Sequence, residues 1–505
     1  MSAAHRRVLY SIAQIRAVEA AALSGLPPGT LMQRAGAAIA RHAAALLTAH
    51  DGRIVVLAGP GNNGGDALDA AARLAEAGMD VTAWLVADPA ALPADAAAAL
   101  ERARACALRL VENAEPASVD LARCDLLIDG LFGIGLARPI AGALRGLVER
   151  VNALTRPVLA IDVPSGLDAG TGNIVGPDGV AVRATHTLTF IGDKTGLHTA
   201  HGRDQCGSVA VDDLGIDAGL YPPGAAVLNS PAEFAAHLVP RLHNTHKGSF
   251  GDVVVVGGAP GMAGAPLLAA RAAIHAGAGR VHVAFLDERP AADALHPELM
   301  CRPAQTTDFA SATVVAGPGM GVGPAAIELM QRVLAVPQPV VLDADALNLA
   351  AAHADLRQAL IHRHGATLVT PHPLEAARLL GIPVPAIQAD RCAAARELSI
   401  RLQAHVVLKG SGSIVATPAG RIAINPTGNP GLATAGSGDV LAGLCGALLA
   451  QGWAIDAAAR GATWMHGRAA DLLVEEGVGP IGLTAGELMP AIRRVLNALI
   501  NGRLR

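Results

Sequence analysis

The chain has 505 residues, more than one hydrophobic core usually supports, so two or possibly three domains are expected. Hydrophobic residues make up 51% and charged residues 16% of the sequence, a balance that excludes intrinsic disorder. The formal net charge of −4 at pH 7, without a dense Lys/Arg run, argues against a nucleic-acid surface.

The N-terminal residues lack the continuous apolar core of a secretory signal, and no apolar run approaches the roughly 18 residues that a spanning helix needs. The six cysteines are scattered without a Cys-x-x-Cys pair, which indicates neither a zinc site nor a disulfide framework. We therefore expect a soluble cytoplasmic protein that binds neither membranes nor nucleic acid.

Short β-branched runs alternate with longer alanine- and leucine-rich stretches, which predicts the α/β class with parallel sheets covered by helices. A helical segment is predicted over Ser11–Ala49, with a break at Gly25–Gly29. The strands predicted in the first half are Ile54–Ala58, Val81–Ala87, Asp125–Asp129, Val158–Asp162 and Thr187–Ile191. Those predicted in the second half are Asp252–Gly257, Val281–Leu286, Ala312–Ala316, Pro339–Asp343, Thr367–Thr370 and His405–Leu408.

A Pro/Gly-punctuated stretch, Ala218–Ala225, separates the two series of strands and predicts a linker. The halves show no convincing repeat of one another, so they are interpreted as two different domains. The predicted organisation is a first domain over residues 1–218, a linker over 219–229 and a second domain over 230–505.

The segment Gly59–Asp66 follows the first strand and precedes a predicted helix, Ala67–Ala77. It contains the Gly-x-Gly-x-x-Gly pattern of dinucleotide sites, in the strand–turn–helix context that this pattern requires. Asn62, Asn63 and Asp66 replace bland turn residues with groups that can ligand a cation or a ribose. The alternative is a tight turn held by Asx hydrogen bonds.

Polar groups also follow two later strands of the first half. Asp129 ends one strand, and Asp162 ends the next, shortly before Ser165. Because ligands of open α/β sheets bind beyond the carboxyl ends of the strands, these loops should converge with Asn62–Asp66. Asn63, Asp129 and Ser165 would supply amide, carboxylate and hydroxyl oxygens, a set suited to a hard cation and poor for zinc. The alternative is that each acid caps a helix or faces water.

In the second half, the glycine-rich stretch Asn429–Val440 delivers Asp439 to the start of an apolar helix. Backbone N–H groups of such a loop and the positive end of the helix can hold phosphate oxygens. An Asp there can take a proton from a hydroxyl that attacks phosphorus. The alternative is an ordinary Asp N-cap. Further glycine-rich or polar segments of this half are His246–Gly251, Gly257–Ala265, Gly317–Gly321, Leu342–Asn348, Thr370–Glu375 and Leu408–Ser413.

With these motifs in this order, the first half resembles NAD(P)H-hydrate epimerase domains. The second half resembles nucleotide-dependent NAD(P)H-hydrate dehydratases, relatives of ribokinase-type kinases. The resemblance covers roughly residues 12–216 and 230–499 and implies a bifunctional metabolite-repair enzyme. The implied fold is an N-terminal Rossmann-like three-layer α/β/α domain and a C-terminal ribokinase-like α/β domain. Ala67 departs from the family pattern, which usually continues with Gly.

The resemblance also implies functional residues. Potassium ligands would be Asn63, Asp129 and Ser165. Substrate contacts in the first domain would be Asn62, Asn63, Gly64, Gly65, Asp66, Gly133, Ile134, Gly135, Leu136, Ala137, Arg138, Pro139 and Asp162. In the second domain, the hydrated nicotinamide nucleotide would meet Ala265, Gly321, His372 and Asp439. ADP or ATP would be held by Lys409, Gly410, Ser411, Gly412, Ser413 and Gly438.

The chemistry assigns roles to these groups. Water added across the nicotinamide C5–C6 bond leaves a C6 alcohol, and hydroxide is a poor leaving group because the pKa of water is about 15.7. Phosphoryl transfer to that oxygen, with Asp439 as base, would convert it into a phosphate, which is a better leaving group than hydroxide. Asp129 is the preferred acid/base group for interconverting the epimers. Mg²⁺ is expected in the second domain, with candidate supports Asp343, Asp345 and Glu375.

Other interpretations stay open. The second domain could be a vitamin kinase that releases a stable phosphate ester, with the first domain a regulatory nucleotide-binding module. The first domain could instead be a scaffold or partner-binding module, and a conventional NAD(P) oxidoreductase is a weaker third possibility. A homo-oligomer is expected. The choice between ADP and ATP, and between NADHX and NADPHX, is left undecided.

Overall fold

The computed structural model describes residues 8–47, 52–122, 124–287, 290 and 292–503. The chain divides into two compact units after Val227, a point inside the segment 219–229 that was predicted as a linker. That segment is not a bare connector, because Ala226–Leu228 forms a strand antiparallel to Val8–Tyr10. Within the described residues, the search for a helix long and apolar enough to cross a bilayer finds none.

The first unit is built on a parallel sheet. The strands up to the division are β1 (Val8–Tyr10), β2 (Ile54–Ala58), β3 (Val81–Leu85), β4 (Arg109–Val111), β5 (Leu126–Gly130), β6 (Val158–Ile161), β7 (His186–Phe190), β8 (Asp193–Lys194), β9 (Ser208–Asp212) and β10 (Ala226–Leu228). Of these, β1, β8 and β10 lie outside the parallel sheet. The helices of this unit are α1 (Ile12–Leu23), α2 (Thr30–Leu46), α3 (Asn62–Glu76), α4 (Ala94–Ala105), α5 (Gly142–Asn152) and α6 (Gly202–Gln205). The sheet order is β4-β3-β2-β5-β6-β7-β9, and every pairing is parallel.

Alternation along β2 shows why helices cover both faces of this sheet. Ile54 and Val56 belong to the core on the side of α2, α3 and α4. Val55 and Leu57 belong to the core that includes Leu147 of α5. Because successive side chains of a strand point to opposite faces, an all-apolar strand needs a layer on each side. The result is a three-layer α/β/α unit.

The start of α3 corrects one prediction. The helix was expected to begin at Ala67, but it begins at Asn62, so the asparagines and glycines of the motif lie in its first turns. A Cβ at Gly64 would lie 2.0 Å from the carbonyl oxygen of Gly59. A Cβ at Gly65 would lie 2.6 Å from the Cε of Met32. Glycines that ordinarily weaken a helix are therefore required here by close packing.

The N-terminal helical prediction is also refined. It resolves into α1 and α2, separated by residues 24–29 as expected. Ser11 caps α1 and shares a capping box with Gln14. The α2 helix ends at Leu46, and the predicted end at Ala49 lies outside the described residues.

The second unit has a larger sheet. Its strands are β11 (Asp252–Gly257), β12 (Arg280–Phe285), β13 (Met300–Pro303), β14 (Thr313–Ala316), β15 (Val340–Leu342), β16 (Thr367–Val369), β17 (His405–Leu408), β18 (Ile414–Ala416) and β19 (Ile422–Ile424). Its helices are α7 (Gly264–His275), α8 (Pro324–Ala335), α9 (Ala344–Ala352), α10 (Ala354–Ile361), α11 (Pro373–Leu380), α12 (Val384–Ala389), α13 (Arg391–Leu402), α14 (Ser437–Ala450), α15 (Ile455–Glu475) and α16 (Ala485–Ile500). The order is β13-β12-β11-β14-β15-β16-β17-β18-β19, parallel up to β17 and antiparallel beyond it.

Each sheet has a topological switch point, where the strand order reverses. In the first unit this point lies between β2 and β5, and in the second between β11 and β14. Ligands of open α/β sheets bind outside the carboxyl ends of the strands at such points. The predicted α/β class is confirmed, and the glycine-rich loops follow the strands that flank these positions.

Candidate functional sites

A cleft of about 640 Å³ opens at the carboxyl edge of the first sheet. Ten of the predicted substrate-contact residues line it: Asn62, Asn63, Asp66, Gly133, Ile134, Gly135, Leu136, Ala137, Arg138 and Asp162. Gly64, Gly65 and Pro139 do not line it. The lack of side chains at the two glycines instead lets the Gly59 carbonyl and the Met32 side chain pack against α3. The helical segments α1 and α2 contribute Arg16, Glu19 and Met32, which sequence reasoning missed because nothing in a helical pattern marks a face turned to a cleft.

Asp129 and Ser165 form a tight pair at the ends of β5 and β6. The Ser165 hydroxyl donates to Asp129 Oδ1 at 2.6 Å, and the Ser165 backbone N–H donates to Oδ2 at 2.9 Å. The Leu131 N–H donates to Oδ1 at 3.2 Å. Asp129 has no exposed surface, and burial raises the pKa of its carboxyl against the lowering effect of these hydrogen bonds. It does not line the cleft.

Asn63 reaches the same place from the first turn of α3. A Cβ on Gly133 would lie 3.3 Å from both the Cγ and Oδ1 atoms of Asn63, so the loop after β5 passes directly over this amide. The Nδ2 atom of Asn63 is buried without a hydrogen-bond partner. Buried polar atoms are usually satisfied, so an orphaned amide at this position indicates a missing partner.

The predicted potassium ligands fit a hard cation. Asn63, Asp129 and Ser165 lie around the turn after β5, and all can present oxygen atoms. The oxygen and nitrogen of an Asn amide are assigned from its surroundings, so a half-turn of the side chain places Oδ1 where the orphaned atom lies. Asp129 forms no ion pair within the described part of the chain, and a bound cation would compensate its buried charge.

Asp162 stands on the wall of the cleft in an unusual conformation. Its φ is +64°, a region that few residues other than glycine adopt and that often marks functional sites. Its Oδ1 accepts from Lys194 Nζ at 2.8 Å and from the Thr189 hydroxyl at 3.2 Å. Lys194 has no exposed surface at all, which sequence reasoning did not anticipate.

Two further carboxylates that line the cleft, those of Glu19 and Asp66, interact electrostatically with Asp162. Burial and the charge of Asp162 raise the pKa of Glu19 above its ordinary value, although Lys194 and Arg16 oppose the shift. Burial and the same charge raise the pKa of Asp66 well above its usual range. Clustered carboxylates with raised pKa values in a cleft are typical of sites that bind ligands or transfer protons.

In the second unit, Asp439 lies in the first turn of α14, as the sequence predicts. Gly436 caps this helix with a φ of +87°, and the Ser437 hydroxyl donates to the Leu432 carbonyl at 2.8 Å. A Cβ on Gly438 would lie 3.2 Å from Lys409 Nζ and 3.7 Å from Asp343 Oδ2. The absence of a side chain at Gly438 thus lets the end of β17 approach the positive end of α14.

The charges around Asp439 are strongly coupled. Lys409 Nζ donates to Asp343 Oδ1 at 2.7 Å and lies 4.0 Å from Glu375 Oε2. Burial and then the charge of Asp343 raise the pKa of Asp439 to about 7, against the opposing effect of Lys409. Burial likewise raises the pKa of Glu375 to about 7. Burial disfavours the charged form of Lys409, but the attraction of Asp343 and Glu375 outweighs it and raises its pKa.

His372 caps α11 through its ring. Its Nδ1 accepts from the backbone N–H groups of Leu374 and Glu375 at 3.1 and 3.3 Å. The backbone N–H of His372 donates to Glu375 Oε2 at 2.7 Å, which completes a capping box. Burial and the charge of Lys409 lower the pKa of His372, and the accepting Nδ1 fixes the neutral ring with its proton on Nε2.

The predicted nucleotide loops occupy the same edge of the sheet. Gly321 has a φ of +70° and its N–H donates to Asp345 Oδ2 at 2.8 Å. Ala265 is the second residue of α7, at the end of the loop after β11. The buried Arg391 donates to the Lys409 carbonyl at 3.2 Å and so holds the start of the loop Lys409–Ser413.

The expected magnesium supports are already engaged. Asp343 pairs with Lys409, Asp345 accepts from Gly321, and Glu375 accepts from His372. In the ranges that the structure describes, no group of three or more His, Cys, Asp or Glu residues is arranged to hold a metal ion. The donor set therefore fits an ion that arrives with nucleotide phosphates and takes one or two protein carboxylates, the usual mode for Mg²⁺.

The two α/β units, each with its predicted site at the carboxyl edge of its sheet, have the organisation of a two-domain nucleotide-handling enzyme. Residues 253–494 match the family model described as NAD(P)H-hydrate dehydratase, and residues 28–196 match that of the YjeF-related protein N-terminus. The bifunctional NAD(P)H-hydrate repair enzyme Nnr of Coxiella burnetii is 38% identical over 97% of this chain and 99% of its own. That of Escherichia coli K12 is 38% identical over 95% of this chain and 92% of its own. The chain belongs to the bifunctional NAD(P)H-hydrate repair enzyme family.

A solved structure similar to the second unit is the ADP/ATP-dependent NAD(P)H-hydrate dehydratase of Bacillus subtilis, co-crystallised with ATP/Mg²⁺. It is 28% identical, with a TM-score of 0.47, and the match covers 54% of this chain and 97% of that protein.

Proposed function

We propose that the first unit interconverts the (R) and (S) epimers of NAD(P)HX and that the second dehydrates the (S) epimer to NAD(P)H. The dehydration consumes ADP or ATP and releases AMP or ADP with phosphate. The observation that carries the proposal is the Asp439 carboxylate at the start of α14, beside Lys409 and the bare backbone of Gly438.

Asp439 takes the proton of the C6 hydroxyl, and the resulting oxygen forms a bond to the terminal phosphorus of the nucleotide. The bond from that phosphorus to its bridging oxygen breaks at the same time, and AMP or ADP departs with the electron pair. Phosphate then leaves C6 as the ring nitrogen donates its electron pair, and loss of a proton from C5 restores the double bond. The pKa of about 7 lets the carboxylate accept a proton near neutrality. Lys409, the glycine loops and the helix end position the phosphates, and Mg²⁺, when bound with the nucleotide, neutralises their charge.

Only one epimer can present its oxygen in line with the phosphorus, because the bound ring fixes which face is turned to the nucleotide. Spontaneous hydration yields both epimers, so complete repair needs the activity of the first unit. We propose K⁺ as its cation, held by Asn63, Asp129 and Ser165. The orphaned amide of Asn63 and the uncompensated charge of Asp129 support this ligand set.

The test supplies the purified chain with both hydrate epimers, Mg²⁺, K⁺ and either ADP or ATP, and follows the reduced-nicotinamide absorbance. Complete recovery with stoichiometric inorganic phosphate is expected. A stable phosphorylated product would instead identify a kinase. A reaction without nucleotide serves as the control. If no reduced nicotinamide is recovered when ADP or ATP is supplied, the proposal is overturned.

The cation is tested by replacing K⁺ with Na⁺ or Li⁺ and by the Asp129→Ala variant. We expect recovery to stop at the (S) fraction, apart from slow spontaneous epimerisation, while dehydration of that fraction is unchanged. A thermal shift of the intact chain that depends on K⁺ and is lost in Asp129→Ala gives a readout independent of activity. Full, rapid recovery in the variant would exclude this role for Asp129.

The cellular location and the oligomeric state of the enzyme are also proposed. We propose that the enzyme works in the cytoplasm, where its six cysteines, all free thiols, would stay reduced. We also propose a homo-oligomer, which light scattering of the purified chain would test.

A further inference from the structure

A buried lysine that none of the predicted roles uses contacts Asp162, which lines the cleft of the first unit. Lys194 lies at the end of β8 with no exposed surface, and its Nζ donates to Asp162 Oδ1 at 2.8 Å. It also contacts the Thr189 hydroxyl at 2.6 Å and the carbonyl oxygens of Phe190 and Gly192 at 3.0 and 3.2 Å. A buried ammonium is costly unless it is fully hydrogen-bonded, and this one is surrounded by oxygen atoms.

The network leaves one oxygen of Asp162 for other partners. All hydrogen bonds to its carboxylate within the described residues go to Oδ1, from Lys194, Thr189 and the Phe190 N–H. Asp162 lines the cleft, and its side chain keeps 14% of its surface exposed. Oδ1 is therefore anchored from behind, while Oδ2 is the oxygen left free of protein donors on a residue that faces the cleft.

Asp129, by contrast, has no carboxylate oxygen that is both free of protein donors and exposed to the cleft. Its carboxylate has no exposed surface, both of its oxygens accept hydrogen bonds, and it lies behind the cleft wall. A proton-transfer group must come within hydrogen-bond reach of the atom that it serves. The buried pair of Asp129 and Ser165 suits a cation better than it suits a substrate hydroxyl.

We infer that Asp162 is the proton-transfer residue of the epimerase unit and that Lys194 is the positioning residue that holds its carboxylate toward the cleft. The inference rests on the proposed epimerase function. It moves the acid/base role from Asp129 to Asp162 and assigns a role to Lys194.

The step balances without an added co-reactant. Asp162 Oδ2 takes the proton of the C6 hydroxyl, the C6–oxygen bond becomes a carbonyl, and the C6–N1 bond breaks with its electron pair going to N1. Rotation about C5–C6 presents the opposite face of the aldehyde. N1 then forms the bond to C6 again, and Asp162 returns the proton to oxygen, which gives the other epimer.

The first test is Asp162→Asn, with excess dehydratase activity supplied by the second unit of the same chain. Asn tolerates the positive φ of this position, so the variant should keep its fold. We expect the rate of (R)-NADHX repair to fall by roughly 100-fold or more, the usual contribution of a general acid–base group. The matched control is Asp95→Asn, which removes another carboxylate that lines the same cleft, from the first turn of α4, and should have a much smaller effect.

The second test is the pH dependence of epimerisation in Lys194→Met. The charged groups that face Asp162 are Lys194, Glu19 and Asp66, with Arg16 beside Glu19. Loss of the adjacent ammonium disfavours the ionised carboxylate, so the acidic limb of the rate profile should move to higher pH. A lysine that only stabilises the fold would lower the rate equally at every pH.

The outcomes separate the inference from the proposed function. If the parent chain repairs both epimers and Asp162→Asn does so at the same rate, the role of Asp162 is excluded while the function stands. If the parent chain repairs only the (S) epimer, the epimerase function itself fails. If Lys194→Met does not fold, Asp162→Asn alone decides the assignment of the proton-transfer group, and an unshifted pH profile in a folded variant excludes the role of Lys194.

Discussion

At the scale of single residues, Asp439 shows how position determines chemical behaviour. An exposed aspartate is too weak a base to accept a proton near neutrality, whereas burial and the neighbouring Asp343 carboxylate raise the pKa of Asp439 to about 7. Lys409 prevents a larger shift. The residue therefore remains partly ionised at neutral pH and yet basic enough to act.

Replacement of Asp439 by Asn should reduce dehydration of (S)-NADHX by roughly 100-fold or more, because the proposed general base is lost while the shape of the side chain is kept. In the parent chain, kcat/KM should fall as pH drops below about 7, since the carboxylate becomes protonated. The variant should lose that acidic limb. An unaltered rate would show that another group removes the hydroxyl proton.

Asp439→Asn should raise the stability of the chain although it lowers the activity. The carboxyl of Asp439 has a pKa of about 7 in the folded chain against an ordinary value of 3.8, so the folded state binds the proton more tightly. Stability of the parent chain thus falls as pH rises from 3.8 to about 7, and the whole cost is present above that range. We expect the Tm of Asp439→Asn to exceed that of the parent by a few °C above neutrality, with the difference shrinking toward acid pH. Equal Tm values throughout would contradict the raised pKa.

At the scale of elements, the N-terminus of α14 contains two glycines with different purposes. Gly436 needs its φ of +87°, and a Cβ there would lie 2.5 Å from Leu268 Cδ1. Gly438 lies inside the helix, and a Cβ there would approach only Lys409 Nζ and Asp343 Oδ2. The first glycine serves the backbone, and the second leaves room for the site.

Alanine substitutions should separate these purposes. Gly436→Ala should destabilise the chain by about 1–2 kcal/mol or more, because alanine is strained at positive φ. Gly438→Ala should leave the Tm unchanged or slightly higher, since alanine favours helix, and should weaken ADP binding roughly tenfold through crowding of Lys409. Calorimetric titration and thermal unfolding of both variants provide the measurements, and equal nucleotide affinity in Gly438→Ala and the parent would contradict this account.

Elements also show which parts of the fold can be predicted from sequence. The strands Ile54–Ala58, Asp252–Gly257 and His405–Leu408 are found at their predicted bounds, because buried parallel strands are continuous apolar runs. The strands β1, β8 and β10 were not predicted, because two or three residues are too few to form a recognisable apolar run. The start of α3 was placed late, since consecutive glycines ordinarily break a helix and only tertiary packing requires them here.

Of the candidate sites, too, only some residues could be predicted from the sequence. Loops after strands were found because polar residues interrupt apolar runs at that point, as with Asp129 and Asp162. The burial of Lys194 was not predictable, because its oxygen partners are brought together only by the fold. They come from the end of β7, from Gly192 just after it, and from Asp162, which follows β6. Arg16 and Glu19 were missed for a similar reason, since only the folded chain brings their helix to the cleft.

At the scale of the whole molecule, the two activities occupy separate parts of the chain. All residues that line the first cleft lie before the division at Val227, and the residues around Asp439 lie after it. Each site can therefore be inactivated without altering the composition of the other.

A mixture of two full-length variants should restore repair. Asp162→Asn retains the dehydratase site, and Asp439→Asn retains the epimerase site, so (S)-NADHX released by one chain can be used by the other. We expect complete recovery of both epimers, at a rate that rises with the concentration of either variant. Recovery limited to the (S) fraction would show that the substrate must pass between sites within one chain.

The burial of α14 also determines how the segment beside Asp439 can unfold. Every residue of α14 from Val440 to Leu449 is buried, so the peptide that bears Asp439 can loosen only when the interior of its unit opens. Amide protons of this segment should thus exchange with solvent no faster than the unit unfolds as a whole. Heat or denaturant should then abolish dehydration in the same transition that unfolds the unit, with no intermediate in which the unit stays folded while Asp439 is displaced.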